Sequence, residues 1–239
     1  MKKLKLTKGD FLLNAGAALF VDNDINKLSL TKYASNERLT VTYLKNHASS
    51  MLELISSAEK YVIDSMDWRA EFKGKQRQEI PEVPVDAVHE AIVNAFAQRD
   101  IENGQSVDII IFKNRIEVIT PGLLPEGKTP DMFIQGNESP IRRNGLISRT
   151  LYYSNDMESF AIDLKHIKDS CDKAGVKVEY KANENNFVVI FYRHCGEGWG
   201  WSSDNSSNFS NSIPIIYMGY PERTETPVRC SVTISTFTI

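Results

Sequence analysis

PVDAVHEAIVNAFAQRDIENGQSVDIIIFKNRIEVITPGLLPEG, residues 84–127, changes its hydrophobic period halfway along, and that change decides the fold. In the first half Val88, Ala91, Ile92, Ala95 and Phe96 make one apolar stripe of a helix. In the second half SVDIIIF and NRIEVIT read as two strands joined through Lys113 and Asn114, a tight hairpin at the centre of a sheet. The run TPGLLPEGKTP, 120–130, holds three prolines and two glycines and excludes regular structure; so long a loop inside a compact domain is usually functional or mobile. Hairpins alternating with helices, rather than strict strand–helix–strand order, predict an α+β fold. Its sheet is mixed or mostly antiparallel, with helices layered on one side.

Glu90 and Asn94 stand four residues apart in EAIVNA and project from one side of the helix, at the margin of its apolar stripe. A carboxylate and an amide so placed can orient a water and complete the shell of an oxygen-loving cation such as Mg²⁺, which takes few protein ligands plus phosphate and water. The alternative is plain: any amphipathic helix carries polar pairs at this spacing.

Outward from this block, KLSLTKY (27–33) and RLTVTYL (38–44) alternate as strands around an ASNE turn. SSMLELISSAEKYVIDSM predicts a helix over about 50–66, with Ser50 and Glu53 spaced as a capping box. Trp68–Phe72 reads as a strand, and KGKQRQ with the prolines of IPEVP as a break. Downstream come a short helix near DMFIQ, another over Asn144–Tyr153 and a third over Glu158–Ala174 stopped by Gly175. VKVEYKA and FVVIFYR follow as a hairpin around NENN. After Arg193, HCGEGWGWSSDNSSNFSNS has the composition of a linker; its GxGxG at Gly196, Gly198 and Gly200 has no following helix to present to a phosphate.

At 239 residues, 41% hydrophobic and 25% charged, the chain can bury a real core in one or two domains. A net charge of -3 excludes a global attraction to nucleic acid or to an anionic membrane, which leaves local patches such as Arg142, Arg143 and Arg149. That trio reads either as a phosphate-binding cluster or as a solvated helix face paired with nearby acids. Cys171, Cys195 and Cys230 fit no zinc or CxxC spacing, and Cys171 falls on an apolar stripe. No run approaches 18 apolar residues and MKKLKLTKGD leads into no signal core, so no membrane partner and a cytoplasmic location are expected.

EAIVNAFAQRD, the hairpin, TPGLLPEG and then SPIRRNGLISRTLYY, in this order, resemble the ATP-binding domain of GHKL (histidine-kinase ATPase-like) type in RecG-helicase-related bacterial transcriptional regulators. There a helix EA(I/L)VNAxxHRD precedes two strands, an NPGGLP turn and an RNPLLA helix, and LLNAGAALF (12–20) is similar to the segment that joins the domain to what precedes it. The resemblance implies a two-layer α/β sandwich with ATP and Mg²⁺ as cofactors. In it Glu90 orients or deprotonates the attacking water, and Asn94 helps hold Mg²⁺ through phosphate and water. It extends nucleotide contact to Arg99 and Asp100, Thr120 and Gly122, and Arg143 and Asn144. Gln98 stands where the family has histidine, Thr120 where it has asparagine, and Leu123 where it has a second glycine. Glu158–Ile162 replaces the family's WGSGI, so side chains at Ser159 and Ala161 occupy places where bare backbone would meet phosphate.

The expected organisation is a connecting α/β segment over 1–80, the ATP-binding domain over 81–193 and a tail over 194–239. In the resembling family a Schlafen/AlbA-like domain precedes this one and is expected to lie outside this chain, so DNA is expected only through a domain outside this chain, and a homodimer is the expected assembly. The expected function is a regulator's ATP-binding module, with weak Mg²⁺-dependent hydrolysis at most. The alternative is a nucleotide-free scaffold or dimerisation domain.

Overall fold

The computed structural model describes residues 4–122, 124, 127–135, 143–153 and 164–193. The chain divides into two compact units, Met1–Trp199 and Gly200–Ile239, and every described residue lies in the first.

The frame is a six-stranded sheet. Its strands are β3 (Lys27–Tyr33), β4 (Val41–Ala48), β7 (Val107–Ile111), β8 (Arg115–Pro121), β9 (Val178–Ala182) and β10 (Asn186–Tyr192), after a short pair, β1 (Thr7–Lys8) and β2 (Phe11–Leu12), at the start. The order is β4-β3-β7-β8-β10-β9, with β3 and β7 parallel and all other neighbours antiparallel. A parallel pair needs a crossover. Here the crossover holds α2 (Met51–Ser65), the hairpin of β5 (Trp68–Lys73) and β6 (Gln76–Pro81), and α3 (Val85–Gln98). The strands from the first 80 residues therefore extend the same sheet as the central hairpin.

Period-2 geometry sorts the side chains. Leu28, Leu30, Val107, Ile109, Ile111, Ile116, Val118, Phe187, Val189 and Phe191 share one core with residues of α1 (Asn14–Phe20), α2, α3, α4 (Pro130–Ile134), α5 (Gly145–Tyr153) and α6 (Leu164–Lys173). Ile110, Phe112, Ile119, Val188 and Ile190 form a separate cluster drawn from strands and the residue that follows β7. The helices thus cover one face, and the fold is the mixed α+β sandwich expected. The triple isoleucine of β7 has both faces buried, which is why it reads as a continuous apolar run.

Two local expectations need correction. The capping box at Ser50 does not form: Ser50 makes no side-chain cap bond, and its backbone N–H donates to Asp22 Oδ1 at 3.3 Å. Glu53 Oε2 lies instead 2.5 Å from the Ser49 hydroxyl. Asp22, from the loop after α1, has taken the place of the local cap. The break expected at KGKQRQ is a hairpin turn, with Gly74 at φ +66 and Gln76–Pro81 paired along Trp68–Lys73. LLNAGAALF, the stretch similar to the family's joining segment, forms α1 from Asn14.

Candidate functional site

α3 is the central helix. It packs against α2, α5, α6 and β8, and all its residues from Ala87 to Gln98 except His89 are buried. Glu90 and Asn94 are therefore inside the protein rather than at a margin, at 1% and 6% exposure. Burial forces polar groups to find partners. Asn94 Nδ2 donates to Glu90 Oε1 at 2.8 Å, which fixes the orientation of the amide and turns Asn94 Oδ1 elsewhere. That oxygen is buried without a hydrogen-bond partner.

Asn94 lines a cavity with an open volume of about 40 Å³ between α3, β8, β10 and α6. Ala91, Ala95, Leu164, Ile167, Phe187 and Val189 make it apolar; Thr120, Gln98 and Arg143 are its other polar edges. Glu90 stands one turn behind Asn94 and is not part of this lining. A water needs roughly 10–15 Å³ of such space, so the cavity as it stands has room for a few waters and none for a nucleotide ring.

Arg143 holds the mouth. Its backbone N–H donates to Gln98 Oε1 at 3.0 Å and its Nη1 to the Gln98 carbonyl at 3.4 Å. Gly122 has φ +112, and a Cβ there would overlap Arg143 Nη1 and lie 3.2 Å from Asp100 Cβ. The space a side chain would fill is taken by the guanidinium, so glycine is needed both for its backbone and for this close approach. Gly122 N–H donates to Asn185 O, and Asp100 N–H to Pro121 O, at 3.0 and 2.8 Å, which sets the turn beside the end of α3.

The remaining expected contacts divide. Thr120 and Gly122 line the cavity with Asn94 and Arg143. Arg99, Asp100 and Asn144 do not. Arg99 is 0% exposed, and its Nη2 donates to Ile25 O and Asn26 Oδ1 at 2.6 and 2.8 Å. Burial pushes its pKa down to about 10. Asn144 Nδ2 donates to the Ala97 and Arg99 carbonyls, both at 3.0 Å, and so closes the C-terminal end of α3. Asp100 Oδ1 accepts from Glu102 N–H at 3.1 Å, a local turn. Arg142, Leu123, the Glu158–Ile162 segment, Cys195, Cys230 and the GxGxG run all lie outside the described residues.

Gln98 belongs to the site although the motif reading assigns it no role; the available signal is that it continues the Glu90–Asn94 row by another four residues. It is 6% exposed, lines the cavity, and its Nε2 is buried without a partner. The apolar wall from α6 and β10 has no sequence signal beyond ordinary core patterning. Glu82 and Arg193, 2.9 Å apart and with side chains at most 9% exposed, have none either; they clasp the start of α3 to the end of β10. Burial outweighs that pairing and raises the Glu82 pKa, with Asp67 N–H and Arg193 opposing it.

The cavity's walls are apolar, and two buried polar atoms of residues that line it, Asn94 Oδ1 and Gln98 Nε2, have no hydrogen-bond partner. For a metal the fit is thin. Among the described residues no group of three or more His, Cys, Asp or Glu side chains could hold an ion, so Asn94 Oδ1 would act beside phosphate and water oxygens. No described helix is long and apolar enough to cross a membrane.

Residues 104–191 match the model of a family described as "Putative ATP-dependent DNA helicase recG C-terminal". This part of the chain is similar to that ATPase-like domain; the match includes Thr120, Gly122, Arg143 and Asn144 but begins after α3. No curated protein matches the chain. Among solved structures, the DIP2311 protein from Corynebacterium diphtheriae is similar in fold, with TM-score 0.68 at 18% identity over 79% of this chain. This chain spans 39% of that protein's length.

Proposed function

We propose that the chain is the nucleotide-binding module of a DNA-associated bacterial transcriptional regulator, which takes ATP with Mg²⁺ into the cavity beside α3. The observation that carries this reading is the buried, unpartnered oxygen of Asn94, a residue that lines an apolar cavity beside a glycine turn in the stretch similar to an ATPase-like domain. Burying an acceptor without a donor costs about 1–3 kcal/mol, a cost that a ligand can offset.

In this reading the apolar walls hold the base, and Thr120 and Gln98 meet its edges. Arg143 leaves Gly122 to meet phosphate, where a guanidinium binds oxygens in pairs. Asn94 helps place Mg²⁺, which when bound neutralises phosphate charge. Glu90 sits behind Asn94 and fixes its amide; it reaches an attacking water only after rearrangement, so binding dominates and hydrolysis is slow. Arg99, Asp100 and Asn144 support the site from the end of α3 without touching the nucleotide. The regulator role, the cytoplasmic location, a homodimeric assembly and DNA contact through a domain outside this chain complete the proposal. They rest on the resemblance and on the helicase in the family's description.

Titration calorimetry with ATP and Mg²⁺ tests the proposal. Saturable heat at micromolar to millimolar nucleotide is the expected result, with Glu90→Gln binding normally and losing residual hydrolysis. Absence of heat at millimolar nucleotide removes it. The second reading, a nucleotide-free scaffold or dimerisation domain, is favoured by the cavity volume of about 40 Å³ and by the guanidinium seated over Gly122. A dimer by light scattering together with silent calorimetry would select it.

A further inference from the structure

We infer that Gln98 is the residue that reads the base, presenting a hydrogen-bond donor to an acceptor nitrogen on the heterocycle of a purine nucleotide. This deepens the proposed ATP site and rests on it.

The two ends of the Gln98 amide are told apart by a neighbour that can only donate. The backbone N–H of Arg143 points at one end from 3.0 Å, so that end is the oxygen. The other end is therefore the NH₂ group. It is buried, it has no hydrogen-bond partner, and its side chain lines the cavity. One turn back along α3 the polarity is reversed. Asn94 gives its NH₂ to Glu90, and its oxygen is the atom left without a partner. Two residues of the lining thus each keep one unmet polar atom, an acceptor at Asn94 and a donor at Gln98, beside the apolar side chains of Ala91, Ala95, Ile167, Phe187 and Val189.

With the Asn94 oxygen given to the Mg²⁺ shell, the ligand group that satisfies Gln98 is flat and apolar on its faces, with an acceptor on its edge. A purine has that constitution, since its ring nitrogens accept. A bare phosphate chain lacks the apolar faces. Sites with buried polar groups reject ligands that leave them unpaired, so Gln98 acts as a filter and not only as an anchor. Gln98 has a second duty, since the same side chain secures the backbone of Arg143 at the mouth.

A carboxyl side chain at this position separates the two duties. Gln98→Glu would keep an oxygen for the Arg143 N–H, yet the other end of the new side chain is an acceptor when ionised and a donor only when protonated. The experiment is titration of the full chain with Mg²⁺-ATP and, separately, with Mg²⁺-tripolyphosphate. It compares wild type, Gln98→Glu and Gln98→His, each verified by its melting curve. At pH 8.5, Gln98→Glu is expected to bind ATP at least about tenfold more weakly than wild type, a loss of about 1.4 kcal/mol, and tripolyphosphate equally well. Its ATP affinity is expected to recover as pH falls and the carboxyl gains its proton. Gln98→His, with a ring N–H, is expected to restore most of the affinity.

The inference is overturned if Gln98→Glu binds ATP like wild type at every pH. It is overturned equally if the variant loses ATP and tripolyphosphate in parallel, which would place Gln98 with the phosphates. Wild type that binds no nucleotide would end the site itself, an outcome distinct from both.

Discussion

Gln98 and Arg99 are adjacent in sequence and nearly equal in burial, yet they do opposite things. The guanidinium of Arg99 is tied by Nη2 to Ile25 O and Asn26 Oδ1, and Asn26 in turn donates to Ala18 O at 2.6 Å. Its partners are other parts of the chain, so it builds the end of α3. Gln98 and Asn94, which line the cavity, keep one polar atom each without a partner, whereas the unpartnered Nε of Arg99 belongs to a residue outside that lining. The difference teaches that a buried polar residue is assigned by where its unmet hydrogen bonds lie. A motif that names both neighbours cannot make that distinction.

The largest expected effect is on the Arg99 side. Arg99→Met removes a charged donor from two buried acceptors and should destabilise the fold by about 3 kcal/mol, with a melting point roughly 6–12 °C lower. The affinity of the remaining folded protein for nucleotide should be unchanged. A loss of affinity without a loss of stability would move Arg99 into the site and break the comparison.

Asn94→Ala should behave conversely. Mg²⁺-dependent ATP affinity should fall at least about tenfold, or about 1.4 kcal/mol, with a smaller change in melting point than Arg99→Met. If the two variants lose stability alike, the orphaned oxygen has no functional meaning.

Gly122→Ala tests the mouth. Its φ of +112 strains any Cβ, and that Cβ would displace the end of the Arg143 side chain. Strain of this kind costs about 1–3 kcal/mol, so a melting point lower by several degrees is expected. An unchanged melting curve would show that neither the backbone nor Arg143 is constrained there.

The smallest effect concerns Cys171, a core residue with no solvent exposure, whose thiol is pushed up to about 12 by burial. In a variant with Cys195 and Cys230 replaced by Ser, a thiol reagent at about pH 8 should label nothing until denaturant is added, since only the thiolate reacts. Prompt labelling of the native protein would contradict the packing of α6.

Much of this fold is legible because its signals are periodic. The two-residue connection at Lys113 and Asn114, the α6 stripe ending at Gly175 and the β9–β10 hairpin follow from alternation and turn chemistry. The parallel pairing of β3 with β7 is not legible, because register between distant strands is set by tertiary packing. Nor is the failure of the Ser50 cap, since Asp22 arrives from 28 residues away. Of the site, the Glu90–Asn94 pair is stacked one turn apart as its spacing requires. That the pair is internal, with only Asn94 at the cavity, depends on α6 and β10 closing over α3, and α3 alone does not reveal it.

Crystals of the chain grown with a nonhydrolysable ATP analogue and Mg²⁺ test the central claim most directly. The account predicts the base lodged between α3 and the β8–β10 face, within hydrogen-bond distance of Gln98 Nε2, with Arg143 moved off Gly122 toward phosphate. An analogue bound elsewhere, for instance in the cleft of about 580 Å³ between α1 and the start of α5, with the cavity beside α3 still closed, would contradict it.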